Sequence, residues 1–140
     1  MIIRQATSDE DRSAVHRLAN VLALTEGPTA AEVPATFQVF VCEVDSQIIG
    51  FVAVDKHASD AVQITHLFVS GAHRISGIGK ALLNMALQSV GPDVKEIGVL
   101  ISPNNAPALA LYKSAGFQPD ILGEYAGHAE HLSLVLKTTA

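Results

Sequence analysis

Hydrophobic positions along the chain follow two spacings, which predict alternating strands and helices. In some segments apolar residues recur at helical spacing, and in others they alternate with polar residues or form short continuous runs typical of β-strands. Ser8 and Asp11 form a capping-type start for the first helix. Residues 25–34, with two prolines and a glycine, are predicted to form a loop or a short broken helix. The predicted strands span residues 2–5, 37–44, 48–54, 62–70, 94–101, 117–122 and 131–137, and the predicted helices 8–24, 77–90 and 105–115.

The order of these elements predicts an α+β fold. Three consecutive antiparallel strands, the first two joined by a tight turn at Asp45 and Ser46, precede the second long helix. Strand 94–101 is almost continuously apolar, so we expect it at a central position that is buried on both faces. The expected fold class is a mixed, mostly antiparallel central sheet of roughly six to seven strands, flanked by about four helices in a three-layer α/β arrangement.

Composition limits the classes of function. With 140 residues, 49% of them hydrophobic and 16% charged, the chain is expected to form one domain over residues 1–140. The net charge of −5 argues against a nucleic-acid surface and favours a cationic or amine-bearing partner. The single cysteine, Cys42, excludes an internal disulfide, and neither a secretory signal nor an apolar run of membrane-spanning length is found. His128 and His131 have no further ligand cluster beside them, so no metal site is expected. These features predict a cytoplasmic protein without a membrane partner.

The turn between strand 62–70 and the following helix carries the first candidate chemistry. Arg74, Gly77 and Gly79 form an R-x-x-G-x-G pattern where the helix begins. Glycines allow the backbone to approach an anion, and the first N–H groups of a helix have no partner within it. The pattern therefore favours a pyrophosphate, although a tight strand-to-helix turn would need the same glycines. Ala81 and Leu82 exclude the P-loop and the dinucleotide fingerprint, respectively.

A second motif lies on the last predicted helix. Residues 105–117 contain N-x-x-A-x-x-L-Y-x-x-x-G-F, formed by Asn105, Ala108, Leu111, Tyr112, Gly116 and Phe117. Together with R-x-x-G-x-G, in this order and on these elements, the motif resembles the GCN5-related N-acetyltransferase (GNAT) superfamily. The resemblance extends over nearly the whole chain, because the order and lengths of the elements also fit.

The resemblance implies a GNAT-like sheet with a site for acetyl-CoA, and CoA as the product, in a V-shaped gap where strand 62–70 diverges from strand 94–101. Asn105 is expected to contact the cofactor, and Tyr112 is expected to lie near the thioester sulfur. The main-chain groups expected to pair with the pantetheine arm are those of Leu67, Phe68 and Val69. The segment expected to bind the pyrophosphate comprises Arg74, Ile75, Ser76, Gly77, Ile78, Gly79 and Lys80.

Acetyl transfer to an amine also requires a base, an oxyanion donor and an acid. An acceptor amine with a pKa of about 10 is mostly protonated at neutral pH, so some group must take its proton. Some relatives carry a glutamate five residues before the motif asparagine, and here that position is Leu100. The remaining candidates are His66, Glu96 and a water relay. A backbone amide of the diverging strand is expected to bind the oxyanion. Tyr112 is expected to protonate the leaving thiolate, unless it is simply a half-buried aromatic residue.

The sequence therefore predicts an acetyl-CoA-dependent N-acetyltransferase that works by direct transfer in a ternary complex. Because residues 25–34 offer little surface for a large partner, a small amine acceptor is expected rather than a protein. Glu26, Glu32 and Glu124 lie in predicted loops, from which they could attract such a cation. The alternative is a non-catalytic acyl-CoA-binding sensor or interaction module on the same fold. Homodimers are common in the superfamily, and the apolar last strand would suit one.

Overall fold

The chain folds around one mixed β-sheet, shown by a computed structural model that describes residues 1–56, 61–73, 77–120 and 131–138. The helices are α1 (Asp9–Glu26), α2 (Ile78–Gln88) and α3 (Ala106–Ser114), with single 3₁₀ turns at Pro28–Ala31 and Gly71–His73. The strands are β1 (Ile2–Gln5), β2 (Gln38–Val44), β3 (Gln47–Asp55), β4 (Ala61–Val69), β5 (Glu96–Ile101), β6 (Gln118–Pro119) and β7 (Leu132–Lys137).

The seven strands lie in the order β1-β2-β3-β4-β5-β7-β6. Neighbouring strands are antiparallel except β4 and β5, which run parallel on either side of the α2 crossover. This arrangement confirms the predicted mixed, mostly antiparallel sheet. The single parallel pair lies in the middle of the sheet, so the connection carrying the glycine turn starts beside it.

Local sequence signals place two of the boundaries as predicted. At the start of α1, the Ser8 hydroxyl accepts a hydrogen bond from the Asp11 amide, and the Asp11 carboxylate accepts one from the Ser8 amide. The β2–β3 turn consists of Asp45 and Ser46, both in the left-handed region at φ values of 50° and 65°. Two consecutive left-handed residues match the twist of a tight hairpin, which explains why the strands reverse there.

Helices cover both faces of the sheet and so form three layers. On one face, α1 packs Leu18 and Leu22 against Phe51 of β3. On the other face, α2 contributes Leu82 and Leu83 to a second core cluster, which also includes residues of α3. Because consecutive strand residues point to opposite faces, β2, β3 and β4 are apolar on both sides and separate the two clusters.

Some predicted details were wrong. The described residues contain three α-helices rather than about four, because segment 25–34 forms only the short 3₁₀ turn Pro28–Ala31. β5 starts at Glu96, and alternate residues along it are only half-buried, since Gly98 and Leu100 border surface cavities instead of a second core. The predicted strand 117–122 appears as Gln118–Pro119, and residues 121–130 lie outside the described part. Among the described helices, none is long and apolar enough to cross a membrane.

Candidate active site

The two parallel strands separate along half of their length. β4 pairs with β5 only from Ala61 opposite Glu96 to Ile64 opposite Val99. Beyond this point β4 continues to Val69 and β5 ends at Ile101, without further pairing between them. The sheet therefore opens into a V-shaped gap at the carboxyl ends of both strands, as the resemblance implied.

A β-bulge marks the point where the gap begins. Ala53 of β3 pairs with His66, but the next residue, Val54, pairs with Ile64, so Thr65 is the extra residue on β4. The Thr65 hydroxyl oxygen lies 3.3 Å from the Ala53 carbonyl oxygen. A bulge bends its strand and increases the local twist. β4 accordingly leaves β5 directly after the bulge.

Along the diverging part of β4, the main-chain N–H and C=O groups of successive residues point alternately to β3 and to the gap. The Ser70 amide donates to the Ile49 carbonyl oxygen at 2.7 Å, which fixes the phase of this antiparallel ladder. Counting back along the ladder, Leu67 and Val69 occupy positions whose N–H and C=O groups point away from β3, towards the gap. The same alternation directs the main-chain groups of Phe68 to β3. Two of the three residues predicted to pair with the pantetheine arm thus face the gap.

One cavity of about 250 Å³, here called the glycine cavity, lies at the gap between β4, α2 and α3, and the end of α1 also borders it. No carboxylate occurs among its described lining residues, and Lys80 contributes a positive charge. Gly77 caps α2 in the left-handed conformation at φ 80°, and a Cβ there would meet no atom within 4 Å. The start of α2 is therefore open to the cavity, which fits an anionic group such as a pyrophosphate. The lining includes Leu67, Phe68, Val69, Gly77, Gly79, Lys80, Asn104, Asn105 and Leu111.

The second glycine of the motif has a packing role. A Cβ on Gly79 would lie 3.2 Å from Leu111 Cδ2 and 3.7 Å from Val69 Cγ2. Gly79 therefore permits α2 to lie close to α3 and to the diverging part of β4. Ile78, at the other side of the helix start, is buried in the core. Among the described motif positions, Gly77 and Lys80 thus remain the residues most open to a ligand.

A second cavity of about 430 Å³, here called the acidic cavity, lies on the α1 side of the diverging strands. Glu26, Glu32 and Asp55 contribute three carboxyl groups to its lining, and no lysine or arginine occurs among its described lining residues. His66 and His131 also line it. The two cavities therefore differ in charge, with a cation bordering the glycine cavity and carboxylates bordering the acidic one.

His66 is 6% exposed and has both ring nitrogens engaged. Nε2 lies 3.0 Å from the Ala30 carbonyl oxygen, and Nδ1 lies 2.7 Å from the Thr65 hydroxyl oxygen. A carbonyl oxygen only accepts, so Nε2 carries the proton, and the lone pair of Nδ1 accepts a hydrogen bond from the Thr65 hydroxyl. Burial lowers the pKa of His66 and keeps the ring neutral at pH 7. The structure thus brings His66 to the acidic cavity as a neutral imidazole that anchors the 3₁₀ turn.

Glu26, the last residue of α1, connects the two cavities. One carboxylate oxygen accepts from the Ser102 amide at 2.9 Å, and the other accepts from Asn105 Nδ2 at 2.7 Å. Its main-chain oxygen accepts from His131 Nε2 at 2.9 Å. Its side chain is 11% exposed. The sequence predicts Glu26 only as one of several loop glutamates, because its partners lie more than 70 positions further along the chain.

Tyr112 lies in the core. It is 2% exposed, and its ring packs edge-on against Phe117 with the ring centres 5.2 Å apart. It is not among the residues that line the glycine or the acidic cavity. Burial, and secondarily the charge of Glu26, raises the pKa of the phenol well above its usual range. The hydroxyl therefore keeps its proton at neutral pH.

Several sequence candidates lie away from the gap or outside the described residues. Glu96 is exposed and begins β5 at the end where β4 and β5 still pair, so the structure does not bring it to the gap. Leu100, in place of the glutamate of some relatives, borders the acidic cavity as an apolar residue. The candidates outside the described residues are Arg74, Ile75, Ser76, Glu124 and His128.

Comparison with known proteins identifies the family. Residues 35–119, more than half of the chain, match the family model described as the acetyltransferase (GNAT) domain. The chain belongs to the GNAT acetyltransferase family. Acetyl-CoA is the cosubstrate of this family.

Curated relatives agree with this assignment. An uncharacterised N-acetyltransferase from Methanocaldococcus jannaschii is 34% identical over 86 residues, which cover 56% of this chain and 38% of that protein. The chain spans less than half the length of the curated relatives that it matches.

The fold is similar to that of Ard1 from Thermoplasma volcanium, with a TM-score of 0.75 and 23% identity over 99% of this chain and 98% of that one. It is also similar to the PaiA N-acetyltransferase from Thermoplasma acidophilum, solved in complex with coenzyme A. That match has a TM-score of 0.75 and 16% identity over 99% of this chain and all of that one.

Proposed function

We propose that this GNAT chain transfers the acetyl group of acetyl-CoA to a small amine, by direct transfer in a ternary complex. The observation that carries the proposal is the pair of cavities of unlike charge at the diverging ends of β4 and β5. A gap lined on one side for an anionic cosubstrate and on the other for a cation allows both reactants to meet. Holding them together converts the reaction into an effectively unimolecular step.

On the glycine-cavity side, the main-chain groups of Leu67 and Val69 are proposed to pair with the pantetheine arm, in the manner of an added strand. The α2 start at Gly77, with Lys80, is proposed to bind the pyrophosphate. Arg74, Ile75 and Ser76 belong to the same proposed segment. Asn105 is proposed to contact the cosubstrate from the start of α3.

On the acidic-cavity side, Glu26, Glu32 and Asp55 are proposed to attract the protonated amine. A cavity volume of about 430 Å³ is in the range of small-molecule sites, which supports a small acceptor over a protein. The net charge of −5 favours the same class of partner over nucleic acid.

The acceptor must lose a proton before its nitrogen attacks the thioester carbon. We propose for this step a water relay or His66 Nδ1, reached through the Thr65 hydroxyl that donates to it, because Nε2 already donates to Ala30. The Leu67 amide is proposed as a donor to the oxyanion of the tetrahedral intermediate. Tyr112, whose phenol is protonated at neutral pH like any tyrosine, is proposed as the acid that gives a proton to the departing CoA thiolate.

The second candidate is an acyl-CoA-binding module without catalysis. Two observations favour it: both nitrogens of His66 are engaged within the protein, and Tyr112 lies outside the lining of both cavities. A binding module would need the glycine cavity and the diverging strands, but no base or acid.

Titration of the purified chain with CoA and with acetyl-CoA by calorimetry, followed by measurement of free-thiol release with a panel of amines, separates the two. Binding with thiol release on one class of small amine supports the enzyme. Binding without release on any amine or N-terminal peptide supports the module, and absence of binding refutes both.

The proposal also includes the cellular location and the oligomeric state of the protein. A cytoplasmic location is supported by the single cysteine, Cys42, which is a buried free thiol whose pKa burial raises. A homodimer formed along the last strand is proposed from its partly exposed apolar residue Leu132. Sedimentation of the purified chain measures the second property directly.

A further inference from the structure

We propose that Glu26 is a positioning residue that fixes the amide orientation of Asn105, so that the Asn105 oxygen is offered as an acceptor to the pantetheine arm. The inference rests on the proposed function, since it concerns how the same gap binds CoA. It assigns a role to a residue at the end of α1 that neither sequence motif contains. The residue acts through Asn105 and not on the reacting atoms.

The donors and acceptors around Glu26 leave one arrangement. A carboxylate only accepts, so the group of Asn105 that lies 2.7 Å from Glu26 is the NH₂ group. The Asn105 oxygen is then on the other corner of the amide, directed away from Glu26. Asn105 also lines the glycine cavity, where an amide N–H of the pantetheine arm is a donor that such an oxygen can accept.

Glu26 is itself held in place by hydrogen bonds, so the Asn105 amide keeps one orientation. The Ser102 amide binds one carboxylate oxygen at 2.9 Å, and the carboxylate is mostly buried. In addition, the main-chain oxygen of Glu26 accepts from His131. The Asn105 side chain, at the first position before α3, does not cap its own helix. Its amide is therefore used for Glu26 and the cavity.

Substitution of Glu26 by glutamine turns one of its two hydrogen-bond acceptors, the one that faces Asn105, into a donor. The Ser102 N–H is part of the backbone and cannot change from donor to acceptor, so it binds the single oxygen of Gln at position 26. The NH₂ group of that Gln then faces Asn105. Asn105 must rotate its amide to offer oxygen to it, which directs NH₂ into the glycine cavity. Two donors would then meet in the complex with CoA.

A second substitution restores the original polarity. In Glu26→Gln/Asn105→Asp, the Gln NH₂ donates to one Asp oxygen, and the other Asp oxygen is again an acceptor towards the cavity. The double variant has the same net charge as the native chain. Asn105→Asp alone places two carboxylates in contact, so it is expected to bind CoA poorly or to fold poorly. The comparison of Glu26→Gln with the double variant does not depend on it.

The experiment measures CoA affinity by calorimetry for the native chain, Glu26→Gln and the double variant, with folding checked by circular dichroism and thermal unfolding. We expect Glu26→Gln to bind CoA about tenfold more weakly, as for one lost hydrogen bond, and the double variant to return to within about threefold of native affinity. Glu43→Gln, which also removes one carboxylate charge but on β2, is the matched control and is expected to leave CoA affinity unchanged.

Native CoA affinity in Glu26→Gln, or a folded double variant that binds no better than Glu26→Gln, would overturn the inference while leaving the proposed function intact. Failure of the native chain to bind CoA would overturn the proposed function together with this inference. Recovery of CoA affinity in the double variant supports the inference, because a purely structural role of Glu26 would change stability without restoring affinity.

Discussion

The diverging part of β4 depends on a glycine of the neighbouring strand, which can be tested by adding a single methyl group. A Cβ on Gly50 of β3 would lie 2.9 Å from the Phe68 carbonyl oxygen and 3.2 Å from Leu82 Cδ1. The carbonyl oxygen belongs to the backbone ladder and cannot rotate away. Gly50→Ala must therefore push β4 from β3 at the residues that border the glycine cavity.

The expected magnitude follows from two opposing effects. Overpacking a core typically costs about 1–3 kcal/mol, and replacing a strand glycine by alanine recovers about 0.4–1 kcal/mol of unfolded-state entropy. Gly50→Ala should therefore lower the free energy of unfolding by about 1–2 kcal/mol. Because Gly50 pairs with Val69, which faces the gap, we also expect CoA affinity to fall several-fold.

Gly98→Ala is the matched control. Gly98 also lies inside a strand, but a Cβ there would approach only the Leu134 carbonyl oxygen, at 3.9 Å. This is an ordinary contact, so we expect Gly98→Ala to leave the free energy of unfolding unchanged or to raise it by up to about 1 kcal/mol. Urea unfolding gives the free energies and calorimetry gives CoA affinity. Equal stability and equal CoA affinity in the two variants would refute the argument that Gly50 sets the position of β4.

Three further predictions concern charge and protonation. Asp11→Ala removes the carboxylate half of the α1 capping box and the ion pair with Arg4, and should cost about 2 kcal/mol at pH 7 in urea unfolding. Arg4 and the Thr7 amide hold the pKa of Asp11 below its usual range, so this contribution is present above about pH 4 and is lost as pH falls further. The difference between native and variant should therefore shrink towards pH 2, and a constant difference would contradict the assignment. His66→Ala should remove the acid limb of the pH–rate profile, which lies below about pH 6.5 because burial lowers the pKa of His66; an unchanged profile would exclude it as the base and leave the water relay. Tyr112→Phe should retain CoA affinity and lower kcat about 10²-fold, whereas an unchanged kcat would remove Tyr112 from the mechanism.

Features set by neighbouring residues could be predicted from the sequence. The two-residue turn at Asp45 and Ser46, the capped start of α1 at Ser8 and the ends of most strands depend on contacts within a few positions. Their signals are therefore contained in short windows of sequence. The three-layer arrangement followed from the order of the elements, because helices between strands must cover the faces of the sheet.

Features set by the sheet as a whole were harder to predict. The continuous apolar run in residues 94–101 suggested burial on both faces, but Gly98 and Leu100 border cavities, one of them created by the divergence of β4. That divergence begins at a bulge centred on Thr65, and threonine is common in regular strands. The sequence contains no local signal that the ladder shifts there. Only the resemblance to the family implied the gap.

The contact between Glu26 and Asn105 shows why motif spacing alone could not assemble the site. The resemblance predicted Asn105 as a cofactor contact, and in the structure its amide also donates to a carboxylate 79 positions earlier. Cofactor binding requires a free hydrogen-bonding group on Asn105. The contact with Glu26 engages the NH₂ group, so the amide oxygen is the group left for a ligand. Because the Ser102 amide binds the other oxygen of Glu26, the orientation of Asn105 depends on the backbone at the end of β5. The divergence of the strands therefore opens the gap and also exposes the end of β5 to α1. The contact of Glu26 with Ser102 and Asn105 at this point determines which atom of Asn105 is available to a ligand.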